Sequence, residues 1–265
     1  MRKLEFNRNW PEEYKRLWQY DNRDTWNSSI DPPSFAFHHY RSRIILSWIK
    51  QLNARKVLDI GAGKANISLI LAEHGAEVLL NDIDPQSLEY AMLKYEKGNV
   101  RLLPGNVEKL DPKENFDLIL LMEVLEHFAH PDRLLNKIYN WLSDTGHVLI
   151  TTPNGSFFRN HLSTFSQIEN KNTLESCQFG PDAEHHLFLF TFEELVKISI
   201  HSGYTVKKHT YIGTPIMNGP YKIGIFVNLF PLSIRFLADH ILSRIYFYQK
   251  KLAVSQAILL QKSKI

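Results

Sequence analysis

Five short apolar runs lie between residues 56 and 153, and segments with helical spacing separate them. The runs are "KVLDI" (56–60), "AEVLLND" (76–82), "NVRLLPG" (99–105), "FDLILLM" (116–122) and "HVLITTP" (147–153). Strands that alternate with helices of about a dozen residues form βαβ units. The pattern predicts a doubly wound, Rossmann-like α/β fold, in which helices cover both faces of a mostly parallel sheet.

Capping residues indicate where several helices begin and end. Gly75 closes the segment 65–75, whereas Asp84 and Pro85 are an N-cap and a first helical residue. The segment "HPDRLLNKIYNWLSDTG" (130–146) reads as one helix, and Thr191 to Glu194 as a capping box. Two later runs, "YTVKKHTYIG" and "AVSQAILLQK", predict a terminal antiparallel hairpin that completes seven strands.

The chain divides by pattern into three parts. Residues 1–50 predict an N-terminal helical cap, and residues 51–212 with 252–265 predict the core, which includes a long polar loop at 154–186. Residues 213–251 are apolar with interspersed basic side chains, and they predict a helical insertion. An insertion of this composition suits a lid over a lipid-linked or isoprenoid substrate, a contact with a membrane surface, or an interface that packs on the domain or joins a homodimer.

Charge is distributed unevenly along the 265 residues. From His201 onward there are nine basic residues against one acid, Asp239, whereas the first 200 residues carry a net charge of −5. The start of the chain has no apolar stretch of the secretory kind, and Cys177 is the single cysteine. We therefore expect a cytoplasmic protein, peripheral to a membrane if the basic end meets an anionic surface.

The glycine loop "DIGAG" follows the first predicted strand. Ligands of open α/β sheets bind at the carboxyl ends of the strands, where Gly61 and Gly63 let backbone approach a ligand closely. A dinucleotide site would require a third glycine where Asn66 stands, and Asp59 would repel a pyrophosphate. Asp59 instead suits the ammonium group of an amino-acid ligand.

Polar residues after the next two strands suit a nucleoside. Asp82, 23 residues after Asp59, can accept hydrogen bonds from a ribose diol, and Ile83 can cover a base. Asn106, after the third strand, can read an adenine edge through its amide. An adenosine joined to an amino acid is S-adenosylmethionine, which is the predicted cofactor.

The motifs "VLDIGAG", "LLNDIDP", "GNVEKL", "FDLILLMEVLEH" and "HVLITTPN" occur in this order. They resemble the motifs of the class I S-adenosylmethionine-dependent methyltransferases. The segments "MEVLEHFAHP", "TTPN" and "EHHLFLFTFEELVKISIHSGY" resemble the branch that contains the ubiquinone-biosynthesis O-methyltransferases. The resemblance spans about residues 50–155 together with that last segment.

The resemblance implies a role for each strand-end residue. The methionine part of the cofactor would contact the glycine loop, the ribose would contact Asp82, and the adenine would lie against the turn that follows the third strand. Two residues after the fourth strand would close over the cofactor near its sulfonium. The implied cofactor residues are Asp59, Gly61, Ala62, Gly63, Asp82, Ile83, Asn106, Val107, Met122 and Glu123.

Two positions depart from the family pattern. Ala65 stands where the family often has a third glycine, and Asn106 where an aspartate is common. Alanine is compatible with the loop unless the backbone there requires a positive φ. Asparagine can still accept a hydrogen bond from the adenine amine, so neither residue argues against a working site.

The stretch "EVLEH" (123–127) places two carboxylates and an imidazole after the fourth strand. On a helical turn Glu123, Glu126 and His127 can share a face and hold a divalent cation such as Mg²⁺, with His185 or His186 as a further ligand. By resemblance, ubiquinone O-methyltransferases and a family that methylates the 2′-oxygen of small-RNA 3′ ends use a similar E-x-x-E-H with a cation. Elsewhere in the branch "LEH" orients the loop without a metal, and both interpretations remain open.

The sequence thus predicts a methyltransferase in which His127 is the general base or a metal ligand, with Glu123 and Glu126 beside it. The expected acceptor is the oxygen of a small molecule, a glycan or a lipid-linked compound. An RNA-modifying enzyme is one alternative, although the basic residues at the chain's end are interleaved with large aliphatic ones. A non-catalytic scaffold that binds S-adenosylmethionine is the other.

Overall fold

A computed structural model describes residues 1–179, 186–213, 230–242 and 246–263. Its seven strands form one sheet in the order β3-β2-β1-β4-β5-β7-β6, which confirms the predicted fold class. The strands are β1 (Lys56–Ile60), β2 (Glu77–Asp82), β3 (Asn99–Pro104), β4 (Phe116–Met122), β5 (Leu142–Pro153), β6 (Tyr204–Ile212) and β7 (Ser255–Lys262).

The strand pairings confirm the mostly parallel sheet and its terminal hairpin. Strand β1 pairs with β2, β2 with β3 and β4 with β5, each in parallel. Strand β7 is antiparallel to both β5 and β6. Parallel strands bring their carboxyl ends to the same edge of a sheet, and the predicted ligand residues therefore follow those ends.

The described helices are α1 (Glu12–Asp21), α2 (Pro32–Ile49), α3 (Asn66–Glu73), α4 (Pro85–Lys94), α5 (Pro131–Tyr139), α6 (Phe192–His201), α7 (Leu232–Leu242) and α8 (Tyr246–Leu252). A π-helical turn, Asn22–Trp26, directly follows α1. The predicted caps are present: Asp84 accepts from the backbone of Gln86 and Ser87, and Thr191 with Glu194 forms a capping box. Among the described residues, no helix has the length and apolar character needed to cross a bilayer.

The prediction of one helix over residues 130–146 was wrong at its end. Helix α5 ends at Tyr139, and the stretch from Leu142 to Gly146 belongs to β5. The amide of Phe116 donates to the carbonyl of Trp141, and Phe116 is in register with Leu142. Pairing with β4 therefore overrides the helical spacing and the terminal glycine, since a tertiary ladder outweighs a local preference.

Close contacts divide the chain into two units. The first unit comprises Met1–Asp111 and Gly213–Arg244, and the second comprises Pro112–Ile212 and Ile245–Ile265. Each has its own buried apolar side chains, for example Leu58 and Leu80 in the first unit, and Leu120 and Phe188 in the second. The glycine loop lies in the first unit, and the "EVLEH" stretch lies in the second.

The predicted long loop is partly ordered by short elements of the second unit. Two 3₁₀ turns occupy Phe165–Gln167 and Lys171–Cys177. Isolated bridges join Asn154 to Phe190 and Thr164 to Leu189. Residues 180–185, which include His185, lie outside the described residues, as do residues 214–229 and 243–245 of the predicted insertion.

Candidate functional site

The glycine loop turns sharply between β1 and α3. Gly61, Gly63 and Ala65 have φ values of 65°, 48° and 52°. A Cβ built at Gly63 would meet no heavy atom within 4 Å, so the loop leaves open space beside its backbone. The backbone at Ala65 does require the left-handed conformation, which costs an L-residue on the order of 1 kcal/mol. The departure from glycine therefore places an alanine where it is strained.

Asp59, at the end of β1, is completely buried. The Ser68 hydroxyl donates to its Oδ2 over 2.6 Å, while Oδ1 has no hydrogen-bond partner among the described residues. Burial raises the pKa of Asp59 to about 7, against the Ser68 hydrogen bond and with help from the charge of Asp82. A cationic donor would satisfy the orphaned oxygen, so the residue fits the ammonium group of S-adenosylmethionine.

Asp82 is half-buried at the end of β2. Its Oδ2 accepts from the amide of Gly63 over 2.8 Å, and its Oδ1 accepts from the amide of Asp84 over 3.0 Å. Burial raises the pKa of Asp82 in spite of these backbone hydrogen bonds. A carboxylate can accept about four hydrogen bonds, so capacity remains for the two hydroxyls of a ribose. Asp82 also fixes the glycine loop.

The predicted adenine residues lie after β2 and β3. Ile83 is exposed, and Val107 is buried in the 3₁₀ turn Val107–Lys109. The Oδ1 of Asn106 accepts from the amide of Glu108 over 2.8 Å, which makes Asn106 the cap of this turn. Its carbonyl oxygen has a second lone pair for an adenine amine, and the cap fixes the orientation of the amide.

A buried polar network ties the N-terminal helices to the glycine loop, and it was not among the features predicted from the sequence. Asp21, at the end of α1, receives hydrogen bonds on its two oxygens from Asn66 (2.7 Å) and from the Lys94 ammonium (3.1 Å). The Lys94 ammonium also donates to the carbonyl of Lys64 over 2.6 Å and to the Asn66 side chain. Lys94 therefore joins α1, α4 and the loop.

The two charges of this network stabilise each other. Burial alone would raise the pKa of Asp21, but Lys94 and Asn66 hold it below its usual range. Burial lowers the pKa of Lys94 to about 8, against the raising effect of Asp21. Both groups are therefore charged at neutral pH, and each has several partners, as buried charges require.

A second ion pair joins the π-helical turn to the glycine loop. The Lys64 ammonium donates to Asp24 over 3.0 Å, and Asp24 also accepts from Arg23 and Ser34. Burial would raise the pKa of Asp24, but the Arg23 hydrogen bond and the Lys64 charge lower it. Burial, with the charge of Arg41, lowers the pKa of the adjacent His38 to about 3, so this imidazole is neutral.

The network escaped prediction because its members are far apart in the chain. Asp21 and Lys94 are 73 residues apart, and Asp24 and Lys64 are 40 apart. Residues 1–30 also lack a regular hydrophobic period. One signal was available: two acids within "YDNRDTW" sit beside large aromatic residues, a setting in which buried and paired carboxylates occur.

In the second unit, Met122 ends β4 and Glu123 follows it. Glu123 has a φ of 59°, and its amide donates to the carbonyl of Thr151 over 2.8 Å. A non-glycine residue in this conformation stores strain, and such strain clusters at functional sites. The 3₁₀ turn begins only at Leu125. Glu123 therefore precedes the turn, and the shared helical face predicted for it with Glu126 and His127 does not form.

Glu126, His127 and His186 come together in this unit. One ligand atom from each lies within 4.8 Å of the others, with Glu126 buried and both imidazoles half-buried. The rings of His127 and His186 have centroids 5.1 Å apart, and the backbone of Leu187 donates to the carbonyl of Glu126. Among the described residues, His186 joins the "LEH" turn and Glu123 lies outside this group of three. The alternative ligand His185 lies outside the described residues.

The comparisons with known proteins agree with the fold. A family model described as a methyltransferase domain matches residues 7–209. The ubiquinone biosynthesis O-methyltransferase of Leptothrix cholodnii is 30% identical over 134 residues, which cover 47% of this chain and 57% of that protein. The chain spans about half the length of the curated relatives it matches.

Two solved structures share the fold at low identity. Magnesium protoporphyrin IX methyltransferase from Synechocystis is 13% identical, with a TM-score of 0.56 and coverage of 95% of this chain and 94% of that one. The N-methyltransferase NodS from Bradyrhizobium japonicum is also 13% identical, with a TM-score of 0.56 and coverage of 96% and 100%. The family model matches well over half of the residues, and the chain belongs to the methyltransferase domain family.

Proposed function

We propose that the protein transfers a methyl group from S-adenosylmethionine to an oxygen atom of a small-molecule, glycan or lipid-linked acceptor. The observation that carries the proposal is the buried Asp59 near the end of β1, before a loop of left-handed residues. Its Oδ1 has no hydrogen-bond partner among the described residues. The family supports methyl transfer, and relatives such as the O-methyltransferase of Leptothrix cholodnii support oxygen as the acceptor atom.

Residues of the first unit would hold the cofactor. Asp59 would pair with its ammonium group, the backbone around Gly61 and Gly63 would contact its amino-acid part, and Asp82 would accept from the ribose. Asn106 and Val107 would border the adenine. When bound, S-adenosylmethionine supplies a methyl group on a sulfonium, which is a good leaving group. The protein's main task is then alignment, which can be worth effective molarities on the order of 10⁵ M.

Residues of the second unit would handle the acceptor's proton. A neutral oxygen becomes positively charged as it attacks carbon, so a nearby base accelerates the step. His127, half-buried beside His186 and Glu126, is the proposed base. Glu126 would orient the imidazoles and stabilise the positive charge that His127 gains with the proton.

We also propose that this group of three can hold a divalent cation. A buried carboxylate and two imidazoles are a mixed oxygen and nitrogen donor set. Mg²⁺ prefers oxygen ligands, whereas imidazole suits Zn²⁺ and iron. The donor chemistry therefore favours a transition metal over the Mg²⁺ expected from the sequence, with His127 as its ligand rather than as the base.

The test separates cofactor binding from turnover. His127→Ala and His186→Ala are compared with His161→Ala, an exposed histidine of the same unit, by calorimetry with S-adenosylmethionine and by methylation of a panel of phenols and lipid-linked alcohols. We expect all three to bind the cofactor as the parent does and only the first two to lose turnover, by about 10² or more. Undiminished methylation by His127→Ala would rule out its proposed role.

Further measurements separate the alternatives. Chelation that abolishes turnover, with recovery on adding Zn²⁺, Fe²⁺ or Mn²⁺, would support the metal form of the proposal, and no effect of chelation would support the free base. A parent chain that fails to bind S-adenosylmethionine would contradict the proposal as a whole. Binding of the cofactor without turnover on any acceptor, RNA oligomers included, would support a scaffold.

A further inference from the structure

Helix α7 presents large apolar side chains to solvent. Ile234, Leu237 and Ile241 are 50%, 60% and 56% exposed, and Phe230, which precedes the helix, is 56% exposed. Spacings of three and four residues place Ile234, Leu237 and Ile241 on one face of α7, and Phe230 lies two residues before the helix begins. We call these four residues the apolar stripe. Several large apolar side chains exposed together mark an interaction surface, whereas single exposed apolar residues are normal.

Among the α7 residues whose burial is described, a charged side chain is buried while large aliphatic ones are exposed. Arg235, one position after Ile234, is only 4% exposed, and Ala238 is half-buried. Packing normally turns aliphatic residues inward and leaves a guanidinium in water. Transfer of the exposed Ile234, Leu237 and Ile241 side chains out of water is favourable, so an apolar surface that covers them would be stabilised.

The stripe could be covered by a second copy of the chain or by a membrane, and the charge of the chain favours one of them. The chain from His201 onward carries a net charge of +8, and Arg244 and Lys251 follow α7 closely in sequence. Lys250, between them, forms an ion pair with Glu193. A second copy on the stripe would bring two such segments together, which like-charge repulsion disfavours. A membrane with anionic lipids offers both an apolar layer and the complementary charge.

We propose that the apolar stripe of Phe230, Ile234, Leu237 and Ile241 inserts into the surface of a membrane that contains anionic lipids. With 11 residues α7 is too short to span a bilayer, which requires about 20 residues, so the helix would lie in the interface plane. The inference goes beyond the methyl transfer proposed above, and it is independent of the acceptor's identity.

The test uses the full chain and sedimentation with vesicles made of equal parts phosphatidylcholine and phosphatidylglycerol. Leu237→Ser/Ile241→Ser removes half of the stripe without changing charge. The matched control is Ile200→Ser, because Ile200 is 58% exposed on α6, away from this helix in sequence. Thermal unfolding and S-adenosylmethionine binding, measured on each variant, report on folding.

We expect the parent and Ile200→Ser to bind these vesicles, and the double variant to bind on the order of tenfold or more weakly. Binding should fall with added salt and on vesicles of phosphatidylcholine alone. A parent chain that stays in the supernatant, or a double variant that binds like the parent, would overturn the proposal. So would a concentration-dependent dimer that the double variant abolishes without vesicle binding by the parent, since the stripe would then join two copies.

Discussion

Asp21 and Asp59 are both buried carboxylates of the first unit, yet their surroundings differ in a decisive way. Asp21 accepts from Asn66 and from the Lys94 ammonium, and its pKa lies below the usual range. Asp59 accepts from Ser68 alone among the described residues, and burial raises its pKa to about 7. Both oxygens of Asp21 have donors within the protein, whereas no described residue donates to Oδ1 of Asp59.

Burial therefore does not distinguish a structural carboxylate from one that is ready for a ligand. What differs is whether the protein itself supplies the hydrogen-bond donors and the countercharge. The Asp21 network fixes the loop from one side, through Lys64 and Asn66. Asp59 and Asp82 offer acceptor capacity at the strand ends, where a cationic ligand and a ribose would use it.

The largest expected effect comes from breaking the Asp21 network at Lys94. Lys94→Met leaves the carboxylate of Asp21 buried without its countercharge, which should cost about 3–5 kcal/mol of unfolding free energy. Urea unfolding measures it, with Lys97→Met as a control, because Lys97 is exposed three residues away. Asp21→Asn/Lys94→Met should recover part of the loss. Additive losses in the double variant would contradict the pairing.

Asp59→Asn should have the opposite effect on the cofactor-free protein. The native pKa of about 7 lies above the ordinary 3.8, so the folded state binds more protons between these values and wild-type stability falls as pH rises through them. The asparagine variant lacks this fall, and it should exceed the wild type by a few kcal/mol at about pH 8, with little difference near pH 4. Urea unfolding at several pH values tests this.

The same variant should bind S-adenosylmethionine about tenfold to a hundredfold more weakly, since a neutral amide forms a weaker bond to an ammonium group than a carboxylate does. Calorimetry measures the affinity. A variant more stable at high pH that keeps full affinity would show that Asp59 does not contact the ligand. A variant without the pH effect would show that Asp59 has a partner within the protein.

Asn66→Ala tests how strongly the Asp21 network holds the glycine loop. Asn66 donates to Asp21 and accepts from Lys94, so its loss removes hydrogen bonds to two charged groups and should cost about 2 kcal/mol. Unfolding measurements compare it with Asn99→Ala, an exposed asparagine at the start of β3. Because the loop loses an anchor, S-adenosylmethionine affinity should also fall. Equal small effects of both substitutions would argue against the anchor.

Ala65→Gly should give the smallest change, and it should be a gain. A glycine relieves the strain at a φ of 52°, while the unfolded chain gains entropy, so the net stabilisation should be about 0.5 kcal/mol. The same substitution at Ala72, inside α3, should destabilise by about 1 kcal/mol or more. A destabilised Ala65→Gly protein would contradict the left-handed conformation. Thermal unfolding resolves the sign.

The residues at the strand ends could be predicted from the sequence because each strand is defined by a short apolar run of neighbouring residues. The apolar runs define the strands, and Gly61, Gly63, Asp82 and Asn106 follow directly after them. The sequence did not show whether the backbone at Ala65 has a positive φ. That angle depends on how the loop closes against β2, where the amide of Ala62 donates to the carbonyl of Asn81. Helix α5 was predicted too long for a similar reason, since pairing with β4 decides where β5 begins.

The sequence alone determined the order of strands and helices along the chain, the family motifs, and the two acids and one histidine within "EVLEH", because these depend on residues that are close in the chain. Only the tertiary structure decided that Lys94 completes the surroundings of Asp21, and that within the described part of the chain His186 rather than Glu123 joins Glu126 and His127. Partners of buried charges come from distant segments. Their identity follows from packing, and no local pattern encodes it.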